Sequence, residues 1–202
     1  MSKEKNIIGI ILAAGASSRM GSPKALLKIS GTTFTEVIKG KLNKAGIKQV
    51  YLVLGAGASR IRGNLNMERL NIIINDSWEK GQLSSLKKAV NELSPETDAV
   101  MMALIDHPQV KTDTIKKLIK VFRDKVPDIV LPQYRGRGGH PVIFSRSVFN
   151  QILKAPLTEG ARVVVRNKAN NVVRLEVDDK YIRQDIDTKK DFGKIESKKS
   201  DI

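Results

Sequence analysis

The 202-residue chain has no cysteine. That absence excludes disulfide frameworks, thiolate metal sites and a cysteine nucleophile. It also fits a reducing compartment, and the expected location is cytoplasmic. Aromatic residues make up only 4% of the chain, with a single tryptophan, so stacking platforms for single-stranded nucleic acid are scarce. The only histidines are His107 and His140. Neither has a metal-ligand companion at useful spacing. No apolar window approaches the length of a membrane span. The G-x-x-x-x-G-K-S/T phosphate loop is missing, which argues against a Walker-type NTPase. Gly55-Ala-Gly57 lacks the third glycine of a dinucleotide fingerprint and reads as a turn.

What the chain has in excess is positive charge. It carries 36 Lys and Arg against 21 Asp and Glu, a formal net charge of +15. Such a balance favours anionic partners: nucleotides, phosphorylated metabolites or nucleic acid. Many lysines, among them Lys39, Lys41, Lys44, Lys116, Lys117 and Lys120, fall on helix faces and read first as a solvated surface. Hydrophobic content of 41% and charged content of 28% describe a globular protein. The expected organisation is one domain over residues 1–192 and a polar, lysine-rich, flexible tail over residues 193–202. The N-terminus imitates a secretory leader, with Lys3 and Lys5 before an apolar run and small residues after it. Glu4 interrupts the basic stretch, and cleavage would remove the best candidate for a central strand. The leader reading is therefore rejected.

Apolar β-branched runs alternate with helical patterns along the chain. Strands are expected at Ile7 to Leu12, Gln49 to Leu54, Asn71 to Ile74, Ala99 to Leu104 and Ile129 to Leu131. Helices are expected near Phe34 to Ala45, Ala58 to Leu65, Leu83 to Leu93 and Thr114 to Arg123. Strands apolar on both faces and separated by helices imply an α/β fold, with a largely parallel sheet covered on both sides. Ligands of such sheets bind at the carboxyl ends of strands. The last third is less regular: a loop at Arg135 to Gly139, an apolar run Val142 to Phe144, helices over Arg146 to Leu153 and after Gly160, and a strand at Val172 to Val177 with a turn at Asp178-Asp179.

Five stretches carry chemistry. Leu12 to Lys24, L-A-A-G-A-S-S-R-M-G-S-P-K, follows the first strand. Its small residues allow close backbone approach, and Arg19 and Lys24 supply cations for a polyphosphate. Asp106, just after the Val100 to Leu104 run, can hold a divalent cation, or can serve only as a cap or turn residue. Asp185-Ile-Asp187-Thr188 offers two carboxylates at i and i+2, which share a face if the segment is extended. The plainer reading is a helix cap by Asp187 or Thr188. Gly81 with Ser84 and Ser85 suits a base or ribose, and serine capping is an equal alternative. His140 sits in a loop as a substrate contact or a histidine satisfied by backbone.

In this order the motifs resemble the nucleotidyltransferases related to molybdenum cofactor cytidylyltransferase and guanylyltransferase. The resemblance rests on the Leu12 to Lys24 loop, Trp78-x-x-Gly81 with Ser84-Ser85-Leu86, Asp106-x-Pro108, Gly139-His140-Pro141, Gly160-Ala161-Arg162 and Asp185-Ile-Asp-Thr188. It covers roughly residues 7 to 192. It implies a three-layer α/β/α, Rossmann-like nucleotidyltransferase fold and Mg²⁺-dependent transfer of a nucleotidyl group to an acceptor phosphate, with pyrophosphate leaving. By position, Leu12, Ala13, Ala14, Gly15, Gly81 and Ser85 would bind the nucleotide, with Arg19 and Lys24 on the triphosphate. Asp106 would ligate Mg²⁺, joined by Asp185 or Asp187. His140 and Arg162 would lie towards the acceptor. Lys189-Lys190 and His107 depart from the common pattern of relatives, which often have Pro-Glu and Gln or Met there.

The L-A-A-G form, with Ala14, favours CTP over GTP within this resemblance. The expectation is a monomeric cytidylyltransferase-like enzyme acting on a phosphorylated acceptor, molybdopterin first and a sugar or alditol phosphate second. A basic nucleic-acid-binding module is the reading from another class. The low aromatic content and the absence of a nucleic-acid motif weigh against it, and neither nucleic acid nor membrane is an expected partner.

Overall fold

Ile7–Ala13 form β1, and all seven residues are buried. Only a strand covered on both faces and both edges can be apolar throughout. The structure, a computed structural model, describes residues 4–65 and 70–196. After β1 come a short hairpin of β2 (Lys28–Ile29) and β3 (Thr32–Thr33), α1 (Phe34–Lys44), β4 (Val50–Leu54), α2 (Ala58–Arg62) and β5 (Asn71–Ile74). The chain continues through α3 (Gln82–Asn91), β6 (Ala99–Leu104), α4 (Thr112–Lys125), β7 (Ile129–Tyr134), β8 (Arg137–Gly138) and β9 (Val142–Ser145). It ends with α5 (Phe149–Lys154), α6 (Arg162–Arg166), β10 (Val172–Glu176) and α7 (Lys189–Glu196).

Eight strands form one mixed, largely parallel sheet in the order β10-β7-β9-β6-β1-β4-β5, with β8 paired to β7. β1 runs parallel to both β4 and β6. The chain leaves β1 towards β4 and β5, then returns to place β6 on the other side. That reversal opens a crevice at the carboxyl ends of β1 and β6. The alternation of side chains sorts the core into two layers. Ile7, Ile11 and Ala13 of β1 and Ala99, Met101 and Ala103 of β6 face α1, α2, α4 and α7. Ile10, Leu12, Val100, Met102 and Leu104 face α3, α5 and α6. The three-layer expectation is met.

α1 shows how local sequence builds these layers. Thr33 and Glu36 close a capping box at its start: the Glu36 N–H donates to Thr33 Oγ1 at 3.2 Å and the Thr33 N–H to Glu36 Oε2 at 2.8 Å. Phe34, Ile38 and Leu42, spaced i, i+4, i+8, bury one stripe. Truncating Leu42 to Ala would cost about 2–5 kcal/mol.

Four features differ from the sequence reading. The β2–β3 hairpin has no apolar run to announce it; Ser30 and Gly31 turn it with positive φ. The Val142 run becomes β9, an antiparallel strand inserted between β6 and β7. The Arg135 to Gly139 loop tightens into a hairpin whose return strand is β8. The expected tail boundary at residue 193 falls inside α7, where Ile195 is buried against the α1 side of the core. The rest of the expected tail, residues 197–202, lies outside the described residues. Among the described residues no helix is long and apolar enough to cross a membrane.

Candidate active site

The loops after β1, β5 and β6 meet at the crevice and enclose a cleft of about 270 Å³. Leu12, Ala14, Gly15, Ser17, Ser18 and Arg19 form one wall. Ala13 does not join them, because its side chain belongs to the core on the α1 side. After β1 the chain is turned by Ser17, which takes a left-handed conformation at φ 51°. Its hydroxyl accepts the backbone N–H of Lys24 at 3.2 Å, so the loop folds back on itself and aims Lys24 at the cleft. A Cβ at Gly15 or at Gly81 would meet no protein atom within 4 Å. Those glycines keep open the space a ligand would take.

Lys24 is the centre of the charged end. Its ammonium donates to Asp106 Oδ2 at 3.2 Å and also to Asp187 Oδ1. The Arg19 guanidinium lies 3.1 Å from Asp187 Oδ2. The Lys24 side chain is only 10% exposed, whereas that of Arg19 is 71% exposed. Lys24 is thus a buried part of the cleft and Arg19 an exposed cation on its rim. The hydrogen bond from Lys24 is the main reason the Asp187 carboxyl is held below its ordinary pKa, with the charges of Lys24 and Arg19 adding to it.

Asp187 reaches this place through a backbone clamp. The Ile186 N–H donates to the carbonyl of Asp106 at 2.9 Å, and buried Ile186 anchors the segment. Thr188 then caps α7: its Oγ1 accepts the Asp191 N–H at 3.2 Å and donates to Asp191 Oδ2 at 2.6 Å. Of the two capping candidates, Thr188 takes the role and Asp187 is left to face the cleft. Asp185 is exposed and does not line the cleft. The segment makes no strand pairing, so the i, i+2 rule that placed both carboxylates on one face does not apply. Asp106 is no helix cap either, since α4 begins after Lys111.

The opposite wall is Trp78, Gly81, Gln82 and Ser85. The serines do not cap α3 by side chain; Gly81 is the N-cap residue. Asn75, which the motif reading passed over, organises this wall. Its amide donates to Ser84 Oγ at 2.8 Å and Ser85 Oγ at 2.9 Å. The available signal was its position directly after an apolar strand. Gly55 serves the same wall: a Cβ there would stand 2.4 Å from Trp78 Cβ and 2.8 Å from the Ala14 carbonyl. Only a glycine lets the two walls close together at this point.

His140 and Arg162 lie elsewhere. His140 borders a second, mostly apolar cavity with Lys41, His107 and Pro141. Its ring is 5.6 Å from that of His107. Burial, with the charges of His107 and Arg162 nearby, pushes its pKa down to about 4, so it is neutral at pH 7. Gly139 permits this packing, because a Cβ would fall 2.2 Å from the Ile182 carbonyl. Arg162 is exposed at the start of α6. Lys41 donates to the Pro108 carbonyl at 2.7 Å, tying α1 to the loop that carries Asp106, and its burial lowers its pKa to about 8.

The charged end fits a divalent cation. Asp106 Oδ1 is buried without a hydrogen-bond partner. An ammonium already sits between Asp106 and Asp187, showing that the pair accommodates positive charge. Among the described residues no cluster of three or more metal-ligating side chains forms. Two carboxylates, with phosphate oxygens completing the shell, are what hard cations such as Mg²⁺ take.

Residues 9–173 match the family described as the MobA-like NTP transferase domain. The chain is 28% identical over 190 residues to nicotine blue oxidoreductase of Paenarthrobacter nicotinovorans, covering 90% of this chain and 92% of that protein. It is 29% identical over 185 residues to molybdenum cofactor cytidylyltransferase of Escherichia coli K12, covering 91% and 92%. The crystal structure of Rv0371c from Mycobacterium tuberculosis superposes with a TM-score of 0.84 at 29% identity, covering 96% of this chain and 100% of that one. Rv0371c has also been solved in complex with manganese, at a TM-score of 0.80 and 28% identity, covering 96% of this chain and 99% of that one.

Proposed function

The chain belongs to the MobA-like NTP transferase family and is a nucleotidyltransferase; from that premise we propose that it transfers CMP from CTP to a phosphorylated acceptor, molybdopterin first among them. The observation that carries the reading is the Lys24 ammonium shared by Asp106 and Asp187 at the carboxyl ends of β1 and β6. It supplies cations and metal-binding carboxylates at one end of a cleft whose other end is small-residue backbone and hydroxyl. Support for cytidine comes from Ala14 in the L-A-A-G loop and from the likeness to a cytidylyltransferase.

In the proposed reaction an oxygen of the acceptor phosphate forms a bond to the α-phosphorus of CTP. The bond from that phosphorus to the bridging oxygen breaks, and pyrophosphate leaves with the electron pair. Asp106 and Asp187 would hold Mg²⁺, which when bound neutralises phosphate charge and favours pyrophosphate as leaving group. Lys24 and Arg19 place positive charge beside the triphosphate, where negative charge builds in the transition state. Gly15 and Gly81 let the nucleoside approach backbone. No side chain need form a covalent intermediate. His140 and Arg162 are assigned to the acceptor side, outside the cleft proper.

The test is pyrophosphate release with Mg²⁺, each of CTP, GTP, ATP and UTP, and molybdopterin as acceptor. Release with CTP well above the others is expected. Preference for GTP would overturn the nucleotide assignment, and activity only with sugar or alditol phosphates would overturn the acceptor. The likeness to nicotine blue oxidoreductase motivates a second reading, an oxidoreductase. Turnover of a nicotinamide cofactor without pyrophosphate release from any NTP would favour it.

A further inference from the structure

Asn75 follows β5 directly and is 4% exposed. Chemistry settles how its amide points. The backbone N–H of Ser77 can only donate, and it lies 3.1 Å from Asn75 Oδ1. The NH₂ end therefore faces the two serines, at 2.8 Å from Ser84 Oγ and 2.9 Å from Ser85 Oγ. An amide nitrogen offers no lone pair, so both hydroxyls must accept from it. Ser84 has acceptors for its own proton, the carbonyls of Gly81 at 2.7 Å and Ser77 at 3.0 Å. Ser85 has none of these. Among the described residues its side-chain hydrogen bond is the one from Asn75, and it lines the cleft. Its proton cannot point at another donor, which leaves it free for a hydrogen-bond acceptor in the cleft that Ser85 lines.

We propose that Asn75 is a positioning residue that fixes the polarity of Ser85, so that the cleft presents a hydroxyl donor to a hydrogen-bond acceptor on the nucleoside: a ring nitrogen, a base carbonyl or a ribose oxygen. This rests on the reading of the cleft as an NTP site. Asn75 itself touches no ligand. It occupies one lone pair of Ser85 Oγ and cannot accept the hydroxyl proton, so that proton stays available to an acceptor on the ligand.

The test is a double-mutant cycle on nucleotide binding, read by calorimetry with Mg²⁺ and whichever of CTP, GTP, ATP and UTP binds the wild-type protein most tightly. Asn75→Asp keeps the shape and the Ser77 contact but turns the serine-facing donor into an acceptor, which captures the Ser85 proton. Asn75→Asp and Ser85→Ala are each expected to weaken binding about tenfold, the value of one good hydrogen bond. With both changes present, the Asn75→Asp penalty should shrink below about twofold, because the hydroxyl it acts through is gone. Asn75→Ala repeats the cycle without added charge, with about a threefold penalty that also vanishes beside Ser85→Ala. It keeps the test open if Asn75→Asp fails to fold. An Asn75 penalty of the same size in both Ser85 backgrounds overturns the inference. Absence of any NTP binding by the wild-type protein overturns the NTP reading as well, so the two failures are distinguishable.

Discussion

The cleft and the neighbourhood of His140 are built from opposite materials. In the cleft, Arg19, Lys24, Asp106 and Asp187 pair across the ends of two parallel strands, and glycines hold back from the space between. Around His140 the walls include Ile38, Ala103, Leu104 and Ile115, and burial keeps the His140 imidazole neutral. The first region is suited to stabilising charge that develops during a reaction. The second is suited to shape and to holding a loop in place. Substitutions in the first should cost rate, and substitutions in the second should cost stability or acceptor affinity.

The largest effect is expected from Lys24→Met and Asp106→Asn. Each should lower kcat by about a hundred- to a thousandfold, the range for losing one preorganised charge contact, in a steady-state pyrophosphate assay. A loss below tenfold for either would erase the contrast between the regions.

His140 sharpens the contrast from the other side. The unfolded chain takes up its proton near pH 6.5, whereas the folded protein resists until about pH 4. Between these values the unfolded state binds more protons, so stability falls as pH falls. The loss should be on the order of 3 kcal/mol across that window. In urea unfolding, His140→Asn should lack this component. Equal acid sensitivity in the two proteins would remove the assigned cause. Asp187 acts below this window. Its lowered pKa means that its contribution is present above the unfolded value of 3.8 and is lost as pH falls through the folded one.

A smaller effect is expected at Gly55. The added Cβ of Gly55→Ala would push Trp78 or the Ala14 carbonyl aside, raising the KM for nucleotide roughly tenfold with less change in kcat. The smallest distinguishes two neighbours: Asp185→Asn should change activity by less than about twofold, while Asp187→Asn falls with the Lys24 group. Equal losses at both positions would return Asp185 to the site.

These residues also mark how far the sequence could be read. β1, β4 and β6 were legible because a doubly covered strand is a nearly unbroken apolar run, β5 because of its three consecutive isoleucines, and α1 because Phe34, Ile38 and Leu42 repeat at helical spacing. Arg19 and Lys24 were legible in the small-residue loop that follows β1, and Asp106 because it sits just past β6. Asp185 and Asp187 were not separable, since their placement depends on an Ile186 clamp to a residue 80 positions away in sequence and on Thr188 taking the cap. Asn75 carried no motif of its own. The β9 strand was seen only as a short apolar run, because pairing direction leaves no mark in four residues.

By itself, then, the sequence determined the alternating α/β plan, the cation-bearing loop after the first strand and the family to which they belong. Periodicity and residue type encode which faces are buried and which turns are possible, and both act over a few residues. The tertiary structure alone decided that Lys24 and Asp187, 163 residues apart, share a proton-bearing contact. It also decided that Asp185 stays outside the cleft lining and that Asn75 donates to a serine ten residues on. Those meetings depend on strand order and on where loops from distant strands converge, and no local pattern records them.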